Sequence, residues 1–263
     1  MQATFENNKE FTKLLGVLAV FDKTFTLKCS KDGISIFCMD SSHTSVLQVF
    51  LNRDYFKTYR FECTDTERLE LGVSADVLMN TMKGIKKTDV FHLTAKSGED
   101  KMTLQIDSDE SQMVYEMKLM DLQEEELDIP EMQFNVKMKL EASVLKLWKS
   151  QIGDHTNEKI KFKVLDDKME ISSDGMDISV KSTLCHGDSM SIELFDDPCV
   201  LELSHKCVAM ASRICDVAND ISFAWTNGAP VNVGCKLGSG TGTVTMWFAP
   251  CLEADDEEMT DTS

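Results

Sequence analysis

No stretch of the 263-residue sequence approaches the ~18 to 20 consecutive apolar residues of a membrane-spanning helix, which argues against a membrane protein. Residues 1–6 lack a basic segment followed by an apolar one, so no secretory signal is expected and an intracellular chain with reduced thiols is. The nine cysteines (Cys29, Cys38, Cys63, Cys185, Cys199, Cys207, Cys215, Cys235, Cys251) are odd in number, widely spread and never form a CxxC pair. They read as small buried apolar residues and not as metal ligands or disulfides. Positive charge is scarce, with 27 Lys and Arg against 45 Asp and Glu and a net charge of −18. Ordinary nucleic-acid binders carry a basic patch or a pI above ~9, so adhesive binding to a polyanion is disfavoured. Enclosure of a polyanion by a closed ring is not excluded, because only the inner face of such a ring must be basic.

A catalytic constellation is also missing. The run GSGTGT (238–243) resembles a phosphate-cradling loop, but it leads into a strand-like segment where a dinucleotide site needs a helix, so it reads as a loop between strands. Cys185 and His186 are adjacent, and neighbours on a strand point to opposite faces, which separates a would-be nucleophile from its base. The carboxylate runs at 124–126 and 255–258 lack the spacing of a calcium loop. No cofactor and no metal site are expected.

What is present is a soluble globular composition, 42% apolar and 27% charged, in a length that suits two domains of about 130 residues. Short alternating segments at 24–29, 34–38, 46–51, 91–95, 102–106 and 114–119 read as strands. Four stretches have helical spacing behind a capping residue. Asn7 or Asn8 precedes Phe11, Leu14, Leu15 and Leu18; Ser74 precedes Val77, Leu78, Met82 and Ile85; residues 142–152 place Leu145, Trp148 and Ile152 on one side; Ser204 precedes Cys207, Met210, Ala211 and Ile214. The polar sides carry Lys13; Lys83 with Lys87; Lys146 with Lys149; and Lys206 with Arg213, so positive charge gathers on the helices of an acidic chain. FTLKCSKDGISIFCMDSS (25–42) and KFKVLDDKMEISSDGMD (161–177) echo one another as strand, acidic turn, strand and polar turn, which points to an internal duplication. The expected fold class is α+β, two similar β-rich domains at 1–119 and 135–252. An acidic connector at 120–134 would join them, and a disordered acidic tail would follow at 253–263.

The strings MDSSH (39–43), YEMKLMDL (115–122), LDIPE (127–131) and the acidic end of 249–258 resemble the sliding clamps of the proliferating cell nuclear antigen family, as do FKTYR (56–60) and IGD (152–154). The resemblance spans the chain and is thin at 64–111 and 155–238. It implies a DNA-clamp fold and a non-catalytic homotrimeric ring that encircles duplex DNA in the nucleus, or in a host's replication compartment if the chain is viral. Such a ring tethers DNA polymerase, a clamp loader and other partners. Twelve helices spaced ~8 to 10 Å would leave a hole of roughly 20 to 28 Å, wide enough for a duplex.

The same resemblance implies that Lys13, Lys83, Lys146, Lys149, Lys206 and Arg213 face DNA, and Lys87, on the same polar side as Lys83, is expected to join them; Thr12, Ala19 and Asn80 stand where the family has further basic residues. It implies a partner-peptide pocket of Met39, His43, Thr44 and Val46, then Leu127, Ile129, Pro130 and Phe134, then Pro230, Trp247, Ala249, Pro250 and Leu252, with a free backbone edge beside 249–252 for an extended peptide. Trp247 replaces a usual tyrosine. Subunits would meet through Tyr115 on one edge and Val180 on the other. Asp166 stands where the family has a lysine that accepts ubiquitin, with Lys168 nearby. Alternatives are a heterotrimeric checkpoint-type clamp, a monomeric viral processivity factor, and an acidic scaffold for basic proteins.

Overall fold

The computed structural model describes residues 1–5, 7–62, 67–122, 132–152, 159–165, 168–175, 178–195 and 199–251. The first half runs β1 (Gln2–Phe5), α1 (Asn8–Phe21), β2 (Thr24–Ser30), β3 (Gly33–Met39), β4 (Ser45–Asn52), β5 (Phe56–Arg60), β6 (Leu69–Ser74), α2 (Ala75–Thr81), β7 (Val90–Ala95), β8 (Lys101–Asp107) and β9 (Gln112–Lys118). The second repeats that order as β10 (Val136–Glu141), α3 (Ala142–Ile152), β11 (Lys159–Leu165), β12 (Lys168–Asp174), β13 (Ser179–Cys185), β14 (Met190–Leu194), β15 (Cys199–Ser204), α4 (His205–Ala211), β16 (Asp220–Trp225), β17 (Val231–Leu237) and β18 (Gly242–Phe248). Element for element, the duplication expected from the two echoing hairpins holds.

Cap chemistry starts the helices where the sequence placed them. The side chains of Asn7, Ser74 and Ser204 accept hydrogen bonds from the amides of Glu10, Val77 and Cys207, each satisfying an orphan donor of a first turn. α1 then buries Phe11, Leu14, Leu15, Val17, Leu18 and Phe21. The helical run expected to reach Ile85 stops at Thr81 instead, and the chain turns through Gly84 at φ +87°, a conformation that suits glycine. Val77, expected inside, is 46% exposed, because α2 packs through Ala75 and Leu78 and the chain just beyond it through Met82.

The strands form three antiparallel sheets with orders β5-β1-β7-β8-β9, β14-β10-β16-β17-β18-β4-β3-β2-β6 and β13-β12-β11-β15. The nine-stranded sheet is two repeat units fused: β14-β10-β16-β17-β18 copies the five-stranded sheet, β6-β2-β3-β4 copies the four-stranded one, and β18 zips onto β4 between them. In that junction Met246 faces Leu47, and both are fully buried. At each unit's far side the chain leaving the last strand crosses onto a neighbour, where the Met120 amide donates to Gly72 O at 2.9 Å and the Cys251 amide to Glu202 O at 2.8 Å. A Cβ on Gly72 would stand 2.1 Å from the Met120 oxygen, so the first crossing requires glycine.

Candidate functional site

The four helices pack as one layer, α1 against α2 and α4, with a short 3-10 extension of α4 (Ser212–Asp216) touching α1 and α3. Lys13, Lys146 and Lys149 are exposed on α1 and α3. Lys83 and Lys87 are also exposed, but in the turns beyond α2 and not on the helix itself. Arg213 lies on the 3-10 extension, half-buried and 3.6 Å from Asp216.

Lys206 departs from the free phosphate contact that its helix position suggests. Its ammonium donates to Asp40 Oδ2 at 2.7 Å and to Ser42 Oγ at 3.1 Å, in the turn between β3 and β4. The Asp40 carboxylate also accepts from the Ser42 hydroxyl and from the amides of Thr44 (3.0 Å) and Ser45 (2.8 Å). Burial alone would raise its pKa. The bonds from Lys206, Ser42, Ser45 and Thr44 outweigh burial and hold the group at about 2. A carboxyl lowered on folding lends stability that is present in full above the unfolded value, ~3.9, and is lost as pH falls through the folded one. Urea unfolding of the wild type and Asp40→Asn should therefore show a stability gap that is flat above about pH 4 and narrows toward pH 2. A gap that does not change with pH would contradict this account of the turn.

Several of the residues expected to form the pocket lie near one another on the outward face of the fused sheet. Met39 on β3 pairs with Val46 on β4, which pairs with Trp247 on β18, so three side chains form a row across three strands. The Phe134 ring stacks on Trp247 with centroids 6.2 Å apart. His43 occupies the β3–β4 turn at φ +55°, and the Ala249 amide donates to Thr44 O at 2.9 Å. Pro230 precedes Val231, the partner of Phe248, which sets it beside Ala249 and Pro250. Leu127, Ile129, Pro130 and Leu252 lie outside the described residues, as do Asp166 and the acidic runs. The backbone edge expected to be free at 249–252 is not wholly so, because the amides of Ala249 and Cys251 are engaged within the chain.

β9 and β13 end their sheets with no strand beyond them among the described residues. Tyr115 and Val180 are half-buried there, and Met113 and Ile178 are each 50% exposed. Six of the eight described cysteines are buried as expected, whereas Cys185 is exposed and Cys251 half-buried. Burial pushes the thiols of Cys29 and Cys235 up to about 12 and that of Cys215 up to about 11, so these three are neutral at pH 7 and poor nucleophiles.

Two repeat units, each with two helices on one side and sheets on the other, define the DNA-clamp fold. The crystal structure of proliferating cellular nuclear antigen from Entamoeba histolytica matches this chain with a TM-score of 0.86 at 20% identity, covering 95% of this chain and 98% of that one. Proliferating cell nuclear antigen of Chaetomium thermophilum is 24% identical over 273 residues, covering 98% of this chain and all of that protein. Residues 1–127 match the family described as proliferating cell nuclear antigen, N-terminal domain. The chain is thus similar to proliferating cell nuclear antigen over nearly its whole length, and the family match itself covers residues 1–127. No helix among the described residues is long and apolar enough to cross a membrane.

Proposed function

We propose that copies of this chain join edge to edge into a closed three-membered sliding clamp that encircles duplex DNA and tethers DNA polymerase, a clamp loader and other replication and repair proteins through the outward pocket. The role is non-catalytic and its site of action the nucleus, or a host's replication compartment. One observation carries the reading: the strands left open at the two ends are the duplicates of the two strands already zipped together inside the chain.

That duplication specifies a register. The crossing bonds of Met120 and Cys251 make Tyr115 the counterpart of Met246. The hairpin pairs Cys29↔Ile34 and Val164↔Met169, followed outward to Leu51 and Leu184, make Val180 the counterpart of Leu47. Since Met246 faces Leu47 inside the chain, Tyr115 of one subunit should face Val180 of the next. A head-to-tail contact of this kind closes into a ring when its rotation is right, and four helices per chain put twelve around a threefold hole. The acidic chain presents Lys13, Lys146 and Lys149 on its helical layer, where weak phosphate contacts blind to sequence would permit sliding. The domain limits that suit this reading are 1–119 and 135–252, joined by 120–134.

The test is salt dependence. Replacing Lys13, Lys146 and Lys149 together by Glu should weaken retention on duplex DNA and lower the slope of log affinity against log salt by about 0.9 for each phosphate no longer neutralised. Peptide binding and solution mass should not change. An unaltered slope would mean that the helical layer does not face DNA.

A further inference from the structure

We propose that Lys206 is a positioning residue of the partner pocket, holding the β3–β4 turn in its binding shape from the helical side of the molecule. The inference rests on the pocket reading given above. The turn, residues 40–44, carries His43 in the left-handed region that a side chain with a Cβ seldom adopts. Such a conformation persists only where its surroundings over-determine it. Here the His43 amide donates to Asp40 O at 2.9 Å, the Asp40 amide to Ser45 O at 2.9 Å, and the Thr44 and Ser45 amides to the Asp40 carboxylate.

The Ser42 hydroxyl and the Thr44 and Ser45 amides therefore converge on one carboxylate, on a residue only 3% exposed. A carboxylate so withdrawn from water needs a counter-charge, and the structure supplies Lys206, which comes from the other repeat unit. The chain of contacts then continues outward, since Thr44 O receives the Ala249 amide at 2.9 Å and so ties the turn to the far wall of the pocket. The path runs Lys206, Asp40, Thr44, Ala249, from α4 to the row containing Val46 and Trp247. Ser45 Oγ lies 3.9 Å from Cys207 Sγ, a second contact between α4 and the start of β4 just after the turn. Without the ammonium, Asp40 must take up a proton or admit water. Lys206 bonds Oδ2 while both amides bond Oδ1, so either change leaves the amide acceptor in place but weaker, and loosens the turn that holds His43. The Lys206 side chain is itself 57% exposed, so replacing it opens no cavity and should leave the fold intact.

The experiment compares Lys206→Met, Lys206→Arg and Asp40→Asn with the wild type by three readouts. These are amide hydrogen exchange at Thr44 and Ser45 in the free protein, affinity for a labelled synthetic peptide bearing one aliphatic and two aromatic anchors, and the salt slope of retention on duplex DNA. Lys206→Met should speed exchange at both amides about tenfold and weaken the peptide about tenfold, the reduction expected for one charge-assisted hydrogen bond. Lys206→Arg should restore both, Asp40→Asn should behave like Lys206→Met, and the salt slope should not move. The opposite pattern, with exchange and peptide affinity unchanged and the slope reduced by about 0.9, would overturn the proposal and return Lys206 to the DNA face. A wild type that fails to bind the peptide would sink the pocket reading instead. Exchange at Thr44 and Ser45 would still decide whether Lys206 holds the turn.

Discussion

An aspartate at Tyr115 or at Val180 is expected to leave a folded chain that no longer assembles. Inside the chain, the counterparts Met246 and Leu47 meet across the β18–β4 ladder and are fully buried. Their duplicates at the open edges are only half-buried, and Met113 and Ile178 beside them are 50% exposed, which is the state of a core face still lacking its second half. Pairing β9 with the next subunit's β13 would bury these side chains as the internal ladder buries theirs. A carboxylate placed in that seam has no counter-ion and loses its water, at several kcal/mol for each junction. A penalty of about 4 kcal/mol raises the dissociation constant of a junction by about three orders of magnitude. The melting temperature should fall far less, because in the separate chain each aspartate can reach solvent from the edge. Met113→Asp should act in the same direction, since the seam would cover Met113 as the internal ladder covers its counterpart Val244. Mass in solution reads the result, and a Tyr115→Asp variant that keeps the wild-type mass would place the subunit contact elsewhere.

Replacing Trp247 by Ala should uncouple partners while leaving assembly and DNA retention untouched. Trp247 stands on the outward face of β18 between Asn232 and Val46, with Phe134 stacked over it. Its removal takes away the aromatic wall of the row and the support for Phe134 at once. Aromatic anchors of this kind dominate peptide grooves and are worth about 2 to 4 kcal/mol when truncated, or roughly thirtyfold to a thousandfold in affinity. The open edges β9 and β13 and the helical lysines lie on other elements. Fluorescence titration of a labelled peptide measures the effect. Affinity within threefold of the wild type would show that the pocket has been drawn around the wrong side chains.

Much of this architecture is legible in the sequence wherever the determinants are local. Asn7, Ser74 and Ser204 announce helix starts because a cap acts on amides two or three residues away. The echo of 25–42 in 161–177 survives because hairpin alternation and turn chemistry repeat together. Contacts made at long range leave no such trace. That β18 closes onto β4, on which the proposed meeting of β9 and β13 is based, depends on strands some two hundred residues apart. Lys206 reads as a DNA contact from its helix face, yet its ammonium is taken by Asp40 from the opposite repeat. Val77 follows helical spacing and is nonetheless exposed, because periodicity defines a face without saying which neighbour covers it. The amide of Ala249 looks available in sequence, and only the close approach of the 40–44 turn engages it.

Images of single particles of the purified protein test the central claim most directly. The account predicts closed threefold rings of about 89 kDa, built from three 29.6 kDa chains, around a hole of roughly 20 to 28 Å. Particles of one chain only, or open filaments with no closure, would contradict it.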